Sequence, residues 1–155
     1  LAEGADPLTI SKNLAEIKSI KVSSNNPDKL VLGADSVISL ENKLINKPIS
    51  REEAMNILKK LNNKKHYLIS SVCISKNGSM IWNHTDSSEL KMKDLSEKEL
   101  HEYLSKIETD TLLAYGVYQI EADGLELFEY IKGDTNSIMG LPIKDILKYI
   151  GQYKK

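Results

Sequence analysis

Between His66 and Met92 the chain commits itself to a long hairpin. From His66 to Ser75 the β-branched content rises, and "KNGS" then puts Asn77 and Gly78 where a tight turn needs positive φ. "MIWNHTDSSELKM" reads as the return strand. Two such strands need a packed face, and the flanking segments supply helices for it. Asp6 and Pro7 read as an N-cap and first helical position, with Ile10, Leu14 and Ile17 on one face and an end near Val22. Ser50 with Glu53 and Ser96 with Glu99 form capping boxes, each satisfying free backbone N–H groups at a helix start. The first precedes Ala54, Ile57, Leu58 and Leu61 at helical spacing; the second precedes Leu100, Tyr103, Leu104 and Ile107.

After the turn-rich "SSNNPDK", Leu30 to Ser39 reads as a buried strand, and "ENK" turns the chain. Further strands are expected near Val117 to Glu121 and Leu125 to Ile131, with "GDTNSIMGLP" as a loop and a closing amphipathic helix from Ile143 to Tyr153. Helices alternating with strands, interrupted by one hairpin, predict an α/β fold in which a mixed sheet is flanked by helices. A chain of 155 residues suits a single domain, since at this length roughly 70% of the unfolded surface is buried.

Charge and cysteine usage narrow the partners. A net charge of −1, with short lysine pairs scattered along the chain, provides no long-range field to gather a nucleic acid polymer or an anionic membrane, so an anionic ligand must be held locally. The single cysteine, Cys73, lies between apolar neighbours in "LISSVCIS", where a buried, inert thiol is expected; it cannot form an internal disulfide and suits a reducing, cytoplasmic setting. No apolar run reaches the ~20 residues that span a bilayer, and no signal peptide is visible.

Asp35 is the first candidate for chemistry. A carboxylate inside an apolar strand loses hydration and needs a metal, a cation or several N–H groups in compensation, and Gly33 and Ala34 leave room for a ligand near the backbone. A purely structural Asp35 that accepts hydrogen bonds from a neighbouring loop is the competing reading. Lys47, held extended by Pro48, can reach a phosphate as a point charge, and Lys18 can run its stem along the face of Leu14 and Ile17 with its ammonium in a cleft. Solvated lysines are the alternative for both. Glu121, Asp123 and Glu126 cluster near "YQIEADGLELFEY"; facing Asp35, some of them would offer Mg²⁺ carboxylate ligands, with water and phosphate oxygens completing the shell. Asp134, Thr135 and Asn136 can line a polar pocket or simply form turns.

The three histidines, His66, His84 and His101, show no metal-ligand spacing and read as structural or exposed. Ser70 and Ser71 lack a nucleophile elbow, and the glycine-bearing loops make neither a Walker A motif nor a dinucleotide fingerprint.

Taken in order, "LGADSV", Lys47-Pro48 twelve residues after the aspartate, "KKHYLISSVCI", "LSEKELHEYL" and "AYGVYQIEADGLELFEYIKGDTNSIMGLPI" resemble the Maf family of nucleoside triphosphate pyrophosphatases, from about Ala5 to Ile150. The resemblance implies an α/β fold with an elongated mixed sheet and a nucleotide cleft. It implies hydrolysis of a nucleoside triphosphate to the monophosphate and pyrophosphate with Mg²⁺ or Mn²⁺. Asp35 takes the place of the catalytic aspartate, described for the family as general base or metal ligand. Lys18 and Lys47 match its phosphate-binding lysines, and Ser36 and Glu121 fall where base specificity is tuned. Glutamate at position 121 resembles the branch acting on 7-methyl-GTP, where the dTTP/UTP branch shows glutamine. The family's opening strand and its "SASPRR"-like loop have no counterpart here, so an N-terminally truncated domain over residues 1–155 is expected, and "EADG" stands where the family has "EGLG". A catalytically inactive nucleotide-binding or regulatory module, in a homodimer covering the surface the absent segment exposes, is the alternative.

Overall fold

A computed structural model describes residues 6–118, 126–133 and 143–153. Strands β1 (Val31–Leu40), β2 (Lys43–Ile45), β3 (Lys65–Lys76), β4 (Ser79–Met92) and β5 (Phe128–Lys132) form one sheet in the order β2-β1-β3-β4-β5. The helices are α1 (Pro7–Ser24), α2 (Arg51–Leu61), α3 (Glu97–Ser105), α4 (Thr109–Tyr115) and α5 (Ile143–Tyr153). The expected α/β architecture is present, and β3, with 12 residues, makes the sheet roughly 40 Å long. Where a mixed sheet was predicted, the pairings among the described residues are all antiparallel. Two-residue turns are the local cause for the β1–β2 and β3–β4 pairs. Asn77 and Gly78 (φ 51° and 81°) close β3 onto β4, and Glu41 and Asn42 (φ 53° and 64°) close β1 onto a β2 too short to be predicted.

Because residues in register share a face, the sheet sorts its side chains cleanly. Gly33, Asp35, Ser71, Cys73 and Thr85 point to the face covered by α1. Ser36, Ser70, Asp86, Leu68 and Leu90 point to the other, where α2, α3 and α4 close an apolar core around Leu58, Leu61, Leu68, Leu90, Met92, Leu104 and Leu112.

Helix α1 buries only part of the face expected of it: Ile10 is buried and Leu14 half-buried. Ile17 is 61% exposed, whereas Ser11, Ala15, Ser19 and Ser23, four residues apart, are fully buried. Small side chains along one stripe let the helix axis come close to the sheet. Gly33 meets them, since a Cβ there would lie 2.5 Å from the Ala15 carbonyl oxygen and 2.7 Å from the Ser19 nitrogen. The buried hydroxyls are satisfied: Ser19 Oγ lies 2.7 Å from Ser75 Oγ, and Ser11 Oγ donates to the Asp35 carbonyl at 3.2 Å. Among the described residues no helix is long and apolar enough to cross a membrane.

The caps fall on the expected residues, but of the two capping boxes read from the sequence only the second is complete, since Ser50 and Glu53 make the serine half alone. Asp6 accepts from the Thr9 N–H at 3.0 Å, and Ser50 from the Glu53 N–H at 3.1 Å. Ser96 and Glu99 form both bonds of a capping box. Cys73 is buried, and burial pushes its thiol up to about 11.

His66 is enclosed on the core side between Tyr118 and Phe128, with Nε2 3.0 Å from the Tyr118 hydroxyl and a buried Nδ1 that has no partner among the described residues. Burial lowers its pKa to about 4 from the ordinary 6.5. Between those values the unfolded chain binds a proton that the folded one refuses. Stability should therefore fall as pH drops from 6.5 towards 4, by about 3 kcal/mol at the lower end. Urea unfolding at a series of pH values reads this slope, and His66→Phe, which cannot be protonated, should lose that part of it.

Candidate active site

The edge of β1 organises the site. Strand β2 pairs only with Ile38, Ser39 and Leu40, so the preceding part of β1 has no neighbour on that side among the described residues. Asp35 and Ser36 lie in this open stretch and point to opposite faces, which a ligand crossing the edge can touch together.

On the α1 face, Lys18 Nζ donates to Asp35 Oδ1 at 2.8 Å and to the Ala34 carbonyl at 3.3 Å. The Asp35 side chain is 10% exposed and that of Lys18 is 55% exposed. An ammonium carries three N–H donors, so one remains for a further oxygen in solvent reach. The position of Lys18 follows from packing: it precedes Ser19, whose backbone rests on Gly33, so the small-residue stripe that seats α1 also brings the lysine over the strand. Asp35 Oδ2 is buried and has no hydrogen-bond partner among the described residues. A carboxylate oxygen left without a donor is a costly feature in a structural aspartate. It fits a divalent cation, which accepts such an oxygen as ligand and fills its remaining positions with water and phosphate oxygens.

Lys47 stands two residues beyond the end of β2, whose Ile45 lies opposite Ile38, three positions along β1 from Asp35. It is exposed and has no ion pair or hydrogen bond among the described residues. Ser36 is half-buried on the opposite face, its Oγ 3.0 Å from Ser70 Oγ. The structure thus brings Lys18 to Asp35, leaves Lys47 on the same edge, and turns Ser36 away from both. Glu121 and Asp123, with Asp134, Thr135 and Asn136, lie outside the described residues. Glu126 does not converge on Asp35: it precedes β5 on the far side of the sheet, about 14 Å of strand spacings from β1, and Lys106 holds it at 3.2 Å.

One constellation was missed by sequence reasoning. His84 Nε2 lies 2.9 Å from Asp86 Oδ1 and 3.3 Å from Asp145 Oδ2. The readable signal was His-x-Asp on a strand, which puts both side chains on one face; Asp145 comes from α5 and had no local cue. The other two histidines are as expected, His66 buried and His101 exposed beside Glu97.

Residues 2–153 match the family described as Maf-like protein. A nucleoside triphosphate pyrophosphatase of Pelagibacter ubique (strain HTCC1062) is 56% identical over 150 residues, covering 97% of this chain and 77% of that protein. A 7-methyl-GTP pyrophosphatase of Bartonella quintana (strain Toulouse) is 41% identical over 141 residues, 91% of this chain and 71% of its own. Another of that name, from Brucella abortus biovar 1 (strain 9-941), is 35% identical over 151 residues, 97% of this chain and 76% of its own. A lysine-paired strand aspartate at an open sheet edge, carried on an α/β scaffold, is an arrangement suited to an anionic substrate. The chain belongs to the Maf family.

Proposed function

We propose that this chain is an acid-anhydride hydrolase that cleaves nucleoside triphosphates between the α and β phosphates, giving the monophosphate and pyrophosphate. Its finer reading is a preference for 7-methyl-GTP-type nucleotides and a need for Mg²⁺ or Mn²⁺. The observation that carries it is the Lys18–Asp35 pair at the open edge of β1, with one carboxylate oxygen engaged and the other without a partner among the described residues. Relatives named for both activities support it, and Glu121 supports the 7-methyl-GTP branch through the resemblance of "YQIEADG".

The roles divide by geometry. Asp35 Oδ1 is held by Lys18, so Oδ2 is the atom left to orient water and receive its proton, or to ligate the cation. Bound there, Mg²⁺ or Mn²⁺ would neutralise phosphate charge as the anhydride breaks. Lys18 keeps Asp35 in place with one N–H and offers another to a phosphate oxygen. Lys47, exposed and without a partner among the described residues, adds a second positive charge to the triphosphate chain. Ser36, on the other side of the edge, and Glu121 read the base.

Pyrophosphate release from a nucleotide panel with Mg²⁺ or Mn²⁺ tests the proposal, with the greatest kcat/KM expected for 7-methyl-GTP. Lys47→Ala should raise KM about tenfold or more, the loss of one charge-assisted contact, without changing the melting temperature. Nucleotide binding with no released pyrophosphate would overturn the enzymatic reading in favour of a binding module.

A further inference from the structure

The cluster on the other face of the sheet stands apart from this chemistry. His84 and Asp86 belong to β4, and Asp145 lies in the first turn of α5, where the helix dipole favours an anionic carboxylate. One ligand atom from each residue lies within 4.8 Å of the others, and all three residues are half-buried. The imidazole is held in place: Trp82 stacks on it at 6.1 Å with 8° between the planes, and Tyr149 of α5 stacks on the same indole at 5.1 Å.

A neutral imidazole has a single Nε2–H, which cannot make a full hydrogen bond to two carboxylates. Yet both aspartates approach that nitrogen, and Asp145 has no other ion pair among the described residues. Around a tetrahedral Zn²⁺ with bonds near 2.05 Å, neighbouring ligand atoms are about 3.3 Å apart. The two approaches, 2.9 and 3.3 Å, are close to that edge length.

We propose that His84, Asp86 and Asp145 form a binding site for a divalent transition-metal ion of the Zn²⁺ class, with water in the open position, that fastens α5 to β4. One nitrogen and two carboxylate oxygens suit Zn²⁺ better than Mg²⁺, which favours an all-oxygen octahedron. The site is distinct from Asp35, which points to the opposite face; Asp86 shares its face with Ser36 but lies two strands away.

Calorimetric titration of Zn²⁺ alone into the whole chelator-treated protein tests it, read together with the melting temperature. One Zn²⁺ per chain and a raised melting temperature are expected. Asp145→Asn and His84→Gln should each weaken this binding about tenfold or more, and Asp35→Asn should leave it unchanged. Absence of binding to the wild-type chain, equal binding by the Asp145→Asn variant, or loss of binding in Asp35→Asn would each overturn the proposal. Should His84→Gln fail to fold, Asp145→Asn at its partly exposed helix position carries the test.

Discussion

Asp35→Asn is expected to lower kcat for pyrophosphate release by about 10³-fold while leaving the protein as stable as before or slightly more so. The two halves of that expectation share one cause. The carboxylate sits in a strand at 10% exposure, with one oxygen bound to Lys18 and the other buried and unmatched among the described residues. An unmatched oxygen costs stability, and an uncharged amide of the same shape reduces that cost. Lys18, left without its anion, remains solvent-exposed and keeps its bond to the Ala34 carbonyl. What the amide cannot do is take a proton from water or ligate a cation as a carboxylate does. Chemical denaturation and initial rates on the same preparation separate the two effects. A variant that retained its rate within about threefold would remove Asp35 from the chemistry, and one that lost its rate only by unfolding would make it structural.

The sequence was legible where a local rule sufficed. Capping side chains at Asp6, Ser50 and Ser96 mark helix starts because they satisfy N–H groups within three residues, and Asn77-Gly78 marks a hairpin because few residues tolerate its φ values. Asp35 could be singled out because charge inside an apolar run is costly in any fold. Features that depend on two distant segments were not legible. Ile10, Leu14 and Ile17 look like the buried stripe of α1 by hydrophobicity, but of the three only Ile10 is buried, and the sheet takes the small stripe because Gly33 permits a closer approach. Helix α4 was missed because Glu108 provides no side-chain cap. The meeting of His84 with Asp145 joins β4 to the C-terminal helix, and no spacing along the chain announces it.

Gly33→Ala should be the most damaging single-methyl change on the α1 side of the sheet, costing about 2–3 kcal/mol in unfolding free energy. The added Cβ would lie 2.5 Å from the Ala15 carbonyl oxygen, 2.7 Å from the Ser19 nitrogen and 2.8 Å from Ser19 Cβ. Two of these are backbone atoms of a regular helix, so no side-chain rotation relieves the clash, and α1 must move away by about 1 Å to restore ordinary contact. That movement strains the Ser19–Ser75 contact of 2.7 Å and carries Lys18 away from its 2.8 Å bond to Asp35. Activity per folded molecule should fall with stability, by about 10²-fold, since misplacement on this scale suffices to disrupt alignment of reacting groups. Gly151→Ala is the matched control: it lies in α5, and an added Cβ there meets nothing within 4 Å. Helix propensity then predicts a gain of up to about 1 kcal/mol and an unaltered rate. If Gly33→Ala proved as harmless as Gly151→Ala, the close seating of α1 would not be what positions Lys18, and the lysine's place beside Asp35 would need another cause.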